Sequence, residues 1–251
     1  MKKWIALFVL GVAVAAPALA QDEKNWSFDV GVDYADKYLF RGLILTGDEP
    51  ILIPHASLAV GNWTLGYYGY FGKIEGFGSD YGETDFNLDY TFALGDKASL
   101  TVGAVTYLYN GDAERDIAFF DTYEAYGILS FDTFLSPTIS YYEDLDAVEG
   151  GYAAFGISHE FALGSKAALT VIGQVGVDFG YNLNAGLAET LGIDESNGDL
   201  SDGLIALDLA VNFTDTFSGH ILAQRTIAFD VLDDIGQEEE TILTAGLGLS
   251  F

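Results

Sequence analysis

The chain of 251 residues has no cysteine, four prolines, and ten lysines and arginines against 38 aspartates and glutamates. Without cysteine it can form neither a disulfide framework nor a thiolate metal site. The formal net charge of −28 argues against a nucleic-acid partner, because such binding needs clustered cations that displace counterions. The composition therefore disfavours disulfide-stabilised, thiolate-metal and nucleic-acid-binding proteins.

Long apolar runs are absent except at the N-terminus. There a basic start at Met1–Lys3 precedes the apolar run Trp4–Ala16, and small residues at Ala18 and Ala20 follow. This pattern predicts a signal peptide over residues 1–20 that is cleaved before Gln21; an uncleaved anchor is the alternative. After residue 20 no stretch approaches the roughly 18 consecutive apolar residues that a membrane helix needs. A mature chain that enters a membrane must therefore cross it with strands.

Apolar and polar residues alternate along much of the rest of the chain. The stretch "GETDFNLDYTFAL", residues 82–94, places acids and amides on one face of a strand and aromatic and aliphatic residues on the other. Many such segments are near ten residues long, which fits tilted membrane strands better than the shorter strands of soluble sheets. The period-two segments number twelve and cover residues 26–40, 51–60, 63–71, 83–93, 99–109, 122–131, 135–143, 152–161, 168–179, 203–213, 217–227 and 240–251.

The connections between these segments alternate in length. Short ones such as "GN" and "TDT" are followed by long ones such as "RGLILTGDEP", "NGDAERDIAFFD" and the longest, residues 180–202. Short periplasmic turns and long extracellular loops are typical of outer-membrane barrels. We therefore predict an all-β fold: a closed antiparallel transmembrane β-barrel of twelve strands, formed by residues 21–251 as one domain in the outer membrane of a Gram-negative bacterium.

The last segment, "TILTAGLGLSF", ends on Phe251. A final strand that closes on phenylalanine is similar to the C-terminal signal that outer-membrane proteins present to the barrel-assembly machinery. Pro54 falls inside the second segment, where a barrel has no free edge, so we expect a bulge or a register change there. Two aromatic girdles are expected at the barrel ends. One comprises Trp26, Trp63, Phe92, Phe131, Phe213, Phe217 and Phe251, and the other Tyr38, Phe40, Phe71 and Phe179.

With the apolar face turned to lipid, the polar face lines the lumen. The inward ionisable residues are then Asp29, Asp33, Glu83, Asp85, Asp89, Glu124, Asp178 and Asp208, with Lys37 and Arg41 as the bases. Inward tyrosines toward the loop end are Tyr68, Tyr70, Tyr107, Tyr109, Tyr126 and Tyr142. An excess of acids in a confined passage predicts a channel for small solutes or ions that prefers cations. The alternative is a filled interior in which the acids are hydrogen-bonded, the tyrosines fill space and Arg41 only neutralises its neighbours.

Residues 36–54, "DKYLFRGLILTGDEPILIP", carry a family resemblance. They resemble the TorF-type porin family, whose members have an aromatic-x-Phe-Arg-Gly motif after the first strand and a proline a few residues later. Tyr38, Phe40, Arg41, Gly42 and Pro50 match this pattern, as does Thr46, whereas residues 43–45 depart from it. The resemblance extends over residues 26–95 and implies an outer-membrane barrel and a channel of unknown substrate.

Two other functional classes are compatible with a barrel of this kind. A closed structural or adhesin-type barrel would bind a partner through its long loops. A phospholipase-like enzyme would need a serine with a base, but His55 with Ser57 and His220 with Ser218 are isolated doublets without a recognisable orienting group. The acidic loops lack the pattern of a calcium loop, so we expect no metal and no cofactor. The expected partners are membrane lipid, lipopolysaccharide, the assembly machinery and small solutes or ions.

Overall fold

The structure is a computed structural model that describes residues 25–75, 80–110 and 121–251. The predicted signal peptide and most of the predicted loop "NGDAERDIAFFD" lie outside these residues.

Twelve long strands form one closed antiparallel barrel, which confirms the predicted fold class. Each long strand pairs with its neighbours in sequence, and the last strand closes on the first through pairs from Asp29↔Ser250 to Ala35↔Thr244. Two short strands, β2 and β3, pair only with each other. The strands are β1 (Trp26–Ala35), β2 (Leu39–Phe40), β3 (Leu43–Ile44), β4 (Ile51–Val60), β5 (Trp63–Lys73), β6 (Asp80–Ala93), β7 (Ala98–Asn110), β8 (Thr122–Phe131), β9 (Thr138–Asp144), β10 (Gly151–Ala162), β11 (Ala167–Phe179), β12 (Asp199–Asn212), β13 (Phe217–Ala228) and β14 (Thr241–Ser250).

Side chains on the barrel are apolar outside and polar inside. On β12, Leu207 is 47% exposed on the outer face, whereas Asp208 beside it is 3% exposed. On β6, Phe86 and Leu88 face outward and Asp85 is buried. A belt of exposed leucine and phenylalanine around a polar interior is the arrangement of a transmembrane barrel and the reverse of a soluble core.

The two ends of the barrel differ in their connections. At the turn end, which holds both termini of the barrel, connections span two to six residues; at the loop end they span six to nineteen. The aromatic residues predicted at the turn end are largely exposed there, Trp26, Trp63 and Phe92 among them. Phe251 donates its N–H to the Phe28 carbonyl at 2.9 Å and its ring stacks on Phe28, so the C-terminal residue completes the closure.

Two sequence-based expectations about the first loop and Pro54 are wrong. β1 ends at Ala35, and the chain then turns into the lumen, so Tyr38 is buried and Phe40 half-buried inside the barrel and neither belongs to an outer girdle. At Pro54 the ladder between β4 and β5 lacks its pairs, but the register is the same on both sides, Leu52↔Phe71 and His55↔Tyr68. A missing proline N–H removes a ladder hydrogen bond without requiring an inserted residue.

The loop end also carries two short helices, α1 (Ala185–Leu191) and α2 (Asp230–Asp234). The Asn184 side chain accepts a hydrogen bond from the Leu187 N–H, and Gly192 adopts φ 73°, so α1 has a side-chain cap at its start and a left-handed glycine at its end. β12 begins at Asp199, four residues before the predicted segment. Among the described residues, neither of the helices is long and apolar enough to span a membrane.

The exposed belt predicts a depth-dependent cost for a charge on the outer face. Leu207→Arg, near the middle of β12, should lower the free energy of unfolding by about 2–4 kcal/mol, because the guanidinium would lie in hydrocarbon. Phe213→Arg, an equally exposed position at the turn end, should cost about 0–1 kcal/mol. Urea unfolding in lipid vesicles, followed by tryptophan fluorescence, measures both. Equal costs would contradict the assignment of the outer face to lipid.

Candidate functional site

The loop after β1 forms a hairpin inside the barrel. Phe40 pairs with Leu43, and the two residues between them have φ of 47° (Arg41) and 84° (Gly42), as in a type I′ turn. Glycine adopts such angles without strain, but an arginine at positive φ is uncommon and is held there by its surroundings. The hairpin therefore places the Arg41 side chain at a fixed position in the lumen.

Arg41 makes a paired set of charge-assisted hydrogen bonds. Its Nη1 and Nη2 donate to Glu124 Oε1 and Oε2, each at 2.7 Å, and the Glu124 side chain is fully buried. The Tyr107 hydroxyl donates to the same carboxylate at 3.0 Å. Asn182 Nδ2 donates to the Arg41 carbonyl oxygen at 3.0 Å. The planar guanidinium matches the carboxylate in a fork geometry that lysine could not reproduce.

Aromatic rings surround the same guanidinium. Its central carbon lies 4.1 Å from the ring centre of Tyr181, 4.7 Å from that of Tyr142, and 5.1 Å from that of Tyr152. Such rings attract a cation through their negative faces, and the effect grows where water is excluded. The ion pair and the rings hold the hairpin across the lumen at the loop end. The hairpin narrows the lumen at that point.

β6 carries three acids that are buried on its inner face, Glu83, Asp85 and Asp89. The Tyr81 hydroxyl donates to Glu83, and Asp89 accepts from the Tyr126 hydroxyl and, at 2.8 Å, from Asn87 Nδ2. In the described part of the chain, no ion pair reaches Glu83, Asp85 or Asp89. We call these three residues the acidic ladder.

A cavity of about 170 Å³ is bordered by Leu39 and Phe40 of the hairpin and by Asp85 of the acidic ladder. Its walls are aromatic and aliphatic in equal parts, with a few polar groups. They include Tyr38, Tyr68, Tyr70, Tyr107, Tyr126, Tyr142, Asp33, Asp85, Lys37 and Gln224. Predominantly apolar walls with a small number of converging polar groups are typical of small-molecule sites.

Nearer the turn end, His220 of β13 lies between acids of two other strands, Asp33 of β1 and Asp208 of β12. His220 Nδ1 lies 3.1 Å from Asp208, and its Nε2 lies 3.2 Å from Asp33. Gly246 leaves room for this contact, since a side chain there would overlap both Asp33 and His220. The expectation that His220 lacks an orienting group is therefore wrong. Because carboxylates face both ring nitrogens, neither is placed to take a proton from Ser218, as a catalytic base must.

The remaining predicted lumen residues have different environments. Lys37 Nζ lies 2.5 Å from Asp48 and 2.8 Å from Glu240, and the hydrogen bonds to these acids raise the pKa of Lys37 above its ordinary value. Asp178 is fully buried and accepts the N–H groups of Gly180, Asn182 and Leu183, so it organises the loop after β11. Asp29 is half-buried on the inner face near the turn end, and Tyr109 contacts Tyr81 edge-on.

Some important lumen residues were not singled out from the sequence. Asp202 accepts from the Tyr152 hydroxyl at 2.8 Å, and Asp144 accepts three backbone N–H groups of the loop that follows it. Tyr181 and Asn182 belong to a loop that sequence alternation does not cover. The "D-x-D" pattern at Asp144–Asp146 is a visible turn signal, whereas the contact of Tyr181 with Arg41 has no local signal. Within the described residues, no group of three or more acids and histidines is arranged to hold a metal ion.

Comparisons with known proteins support the fold. No model of a known family and no curated protein matches the sequence, so the TorF-type resemblance stays a prediction. Among solved structures, a KdgM porin matches with a TM-score of 0.54 over 90% of this chain and 99% of its own, at 11% identity. A NanC porin matches with 0.55 over 89% and 98%, at 14% identity. LpxR from Salmonella typhimurium matches with 0.54 over 88% and 99%, at 10% identity.

At these identities the likeness concerns the fold alone. The chain has the closed twelve-strand barrel that the porins KdgM and NanC also have. LpxR, an enzyme, shares it as well, so the barrel by itself does not distinguish a channel from a catalyst. The function therefore depends on the residues that line the lumen.

The buried ion pair predicts an unequal response to arginine removal. Arg41→Met leaves the Glu124 carboxylate buried without its partner, which should lower the free energy of unfolding by about 3–5 kcal/mol. Arg225→Met removes the exposed pair with Glu239, 2.9 Å apart, and should cost at most about 1 kcal/mol. Urea unfolding in lipid vesicles measures both. The double variant Arg41→Met/Glu124→Gln should recover part of the loss. Equal losses for the two single variants would contradict the role of the pair.

Proposed function

We propose that this protein is an outer-membrane channel for the passive diffusion of small solutes or ions and that it prefers cations. The observation that carries the proposal is the acidic ladder, Glu83, Asp85 and Asp89, which faces the lumen with no ion pair to the described residues. A passage lined by one sign of charge within low-dielectric walls concentrates counterions.

The cations of the lumen do not offset this charge. Arg41 is paired with Glu124, and Lys37 lies between Asp48 and Glu240. His220 lies between two acids, Asp33 and Asp208. Each cationic group thus has at least one acid as its own partner, and the acids that remain set the sign of the field. Cations should therefore enter more readily than anions of the same size.

The hairpin determines how wide the passage is. Its tip crosses the lumen at the loop end and contacts β8 through Arg41, and the cavity is lined in part by the hairpin. Solutes must pass beside this constriction, so the conductance should be small compared with that of a wide, water-filled barrel. The same contacts support the alternative function, a closed structural or adhesin-type barrel that binds a partner through its loops. Absence of conductance would favour that alternative.

We further propose how the chain is exported and assembled. Residues 1–20 act as a cleaved signal peptide, residues 21–251 form the barrel, and Phe251 presents the C-terminal signal to the assembly machinery. Lipid covers the outer belt, and lipopolysaccharide contacts the loop end. The phospholipase-like alternative is disfavoured because both nitrogens of His220 face carboxylates.

We do not expect this chain to share the ligand of one KdgM structure. One KdgM structure is a complex with disordered oligogalacturonate, a chain of acidic sugars. An acidic lumen would repel such a polyanion. The shared fold therefore fits a different solute in this protein.

Planar-bilayer recordings test the proposal. In a KCl gradient, the purified protein should give small conductance steps and a reversal potential of the sign expected for K⁺ over Cl⁻ permeation. The variant Glu83→Gln/Asp85→Asn/Asp89→Asn should move the permeability ratio toward unity, because three lumen charges are lost. An anion-selective reversal potential would refute the charge argument.

A matched control removes three acids outside the lumen. Asp96, Asp132 and Asp215 lie exposed in connections at the turn end. Their triple replacement by asparagine changes the net charge by the same amount and should leave the permeability ratio nearly unchanged. An equal shift in both triple variants would show that overall charge, and not the ladder, sets the selectivity.

A further inference from the structure

Three side chains that line the cavity each carry a buried polar atom without a hydrogen-bond partner. These atoms are Asp85 Oδ1, the Tyr142 hydroxyl and Gln224 Nε2, in side chains of residues that are 5%, 5% and 4% exposed. Buried polar atoms in folded proteins are nearly always paired. Side chains with such atoms come from three different strands and border one cavity, which indicates a place prepared for a ligand with its own polar groups.

The chemistry of these atoms defines what the ligand must offer. A carboxylate oxygen only accepts, so Asp85 requires a donor or a positive charge. An amide nitrogen only donates, so Gln224 requires an acceptor such as a hydroxyl oxygen. The Tyr142 hydroxyl can do either. The ligand therefore has a cationic or donating end and an accepting end.

The aromatic walls favour a cation over a neutral solute. Tyr38 and Tyr70 stack with ring centres 4.5 Å apart, and Tyr126 and Tyr142 lie 5.3 Å apart, so two tyrosine pairs border the cavity. A ring face that the neighbouring ring does not cover attracts an organic ammonium group. In this same barrel the Tyr142 ring already lies against a cation, the Arg41 guanidinium.

The charges around the cavity also favour a cationic ligand. Asp85 borders the cavity, and Glu83 is its neighbour on the inner face of β6, with no ion pair to either in the described residues. The cation that borders the cavity, Lys37, is held by Asp48 and Glu240. An anionic ligand would meet two uncompensated acids, and a neutral sugar would leave both acids uncompensated.

We infer that this cavity binds a small organic cation that carries a hydroxyl group, an amino alcohol in chemical class. The ammonium lies between the tyrosine pairs and Asp85, and the hydroxyl accepts from Gln224. A cavity of about 170 Å³ is more than ten times the roughly 10–15 Å³ that a cavity needs to hold one water molecule, so it has room for a ligand of several heavy atoms. That this ligand is also the transported solute rests on the proposed function. Binding to the cavity can be measured without transport.

The test compares choline with its neutral isostere 3,3-dimethylbutan-1-ol. Calorimetric titration of the purified barrel should use a polyoxyethylene detergent, because phosphocholine detergents carry the probe's own headgroup. Choline should bind at least about tenfold more tightly than the isostere, since only choline has the charge that the rings and Asp85 recognise. D-glucose serves as the neutral sugar and should bind no better than the isostere. Equal binding of choline and the isostere, or preference for glucose, would overturn the inference.

Variants locate the site. Asp85→Asn should weaken choline binding about tenfold or more and leave binding of the isostere unchanged, whereas Asp96→Asn, the same change in an exposed turn, should alter neither. Gel mobility before and after boiling checks that each variant forms a barrel. Should Asp85→Asn not fold, the comparison of the three probes on the unaltered protein still decides the matter. Undiminished choline binding by a folded Asp85→Asn barrel would place the site elsewhere and overturn the assignment.

The bilayer experiment separates this inference from the proposed function. Selective choline binding by a barrel that does not conduct would uphold the site and refute the channel. Cation-selective conductance without selective choline binding would uphold the channel and overturn the site.

Discussion

The structure depends on one constraint: the outer face of the closed barrel is largely apolar, so most polar side chains of the strands find their partners inside. Leu207 and Phe86 lie on the outer belt, while the acids next to them in sequence, Asp208 and Asp85, lie in the lumen. With few bases in the chain, most of these acids are paired with tyrosine hydroxyls, backbone N–H groups or histidine. The guanidinium of Arg41 is the exception, and it fixes the first loop across the barrel.

The fold was predictable because alternation and connection length are local properties of the sequence. Each of the twelve predicted segments overlaps one barrel strand, and the alternation of turns and loops assigned the two ends correctly. The error at residues 36–40 has a physical cause: Tyr38 and Phe40 continue the period of two beyond Ala35, and periodicity does not tell a strand from an extended segment that leaves the sheet. At Pro54 one missing N–H is tolerated without a change in register, so a proline within a ladder does not by itself require a bulge.

The site was predictable only in part. The alternation of inward and outward residues placed Glu83, Asp85 and Glu124 in the lumen, where the structure also has them. The partner of Arg41 was not predictable, because Glu124 is 83 residues away and their contact depends on a hairpin that folds inward. The alternation did not distinguish Asp178, which accepts backbone N–H groups of a loop, from acids that border free space. Which acids remain uncompensated is decided by contacts between distant strands, and a single sequence does not contain those distances.

The orientation of β12 tests the central claim most directly. The chain has no cysteine, so single cysteines at positions 205 to 209 can each carry a fluorophore without further changes. In vesicles, a lipid-bound nitroxide should quench probes at 205, 207 and 209 strongly and probes at 206 and 208 weakly. Strong quenching at 206 and 208, or no alternation at all, would show that the acids do not face an enclosed lumen and would contradict a barrel with lipid outside and its acids inside.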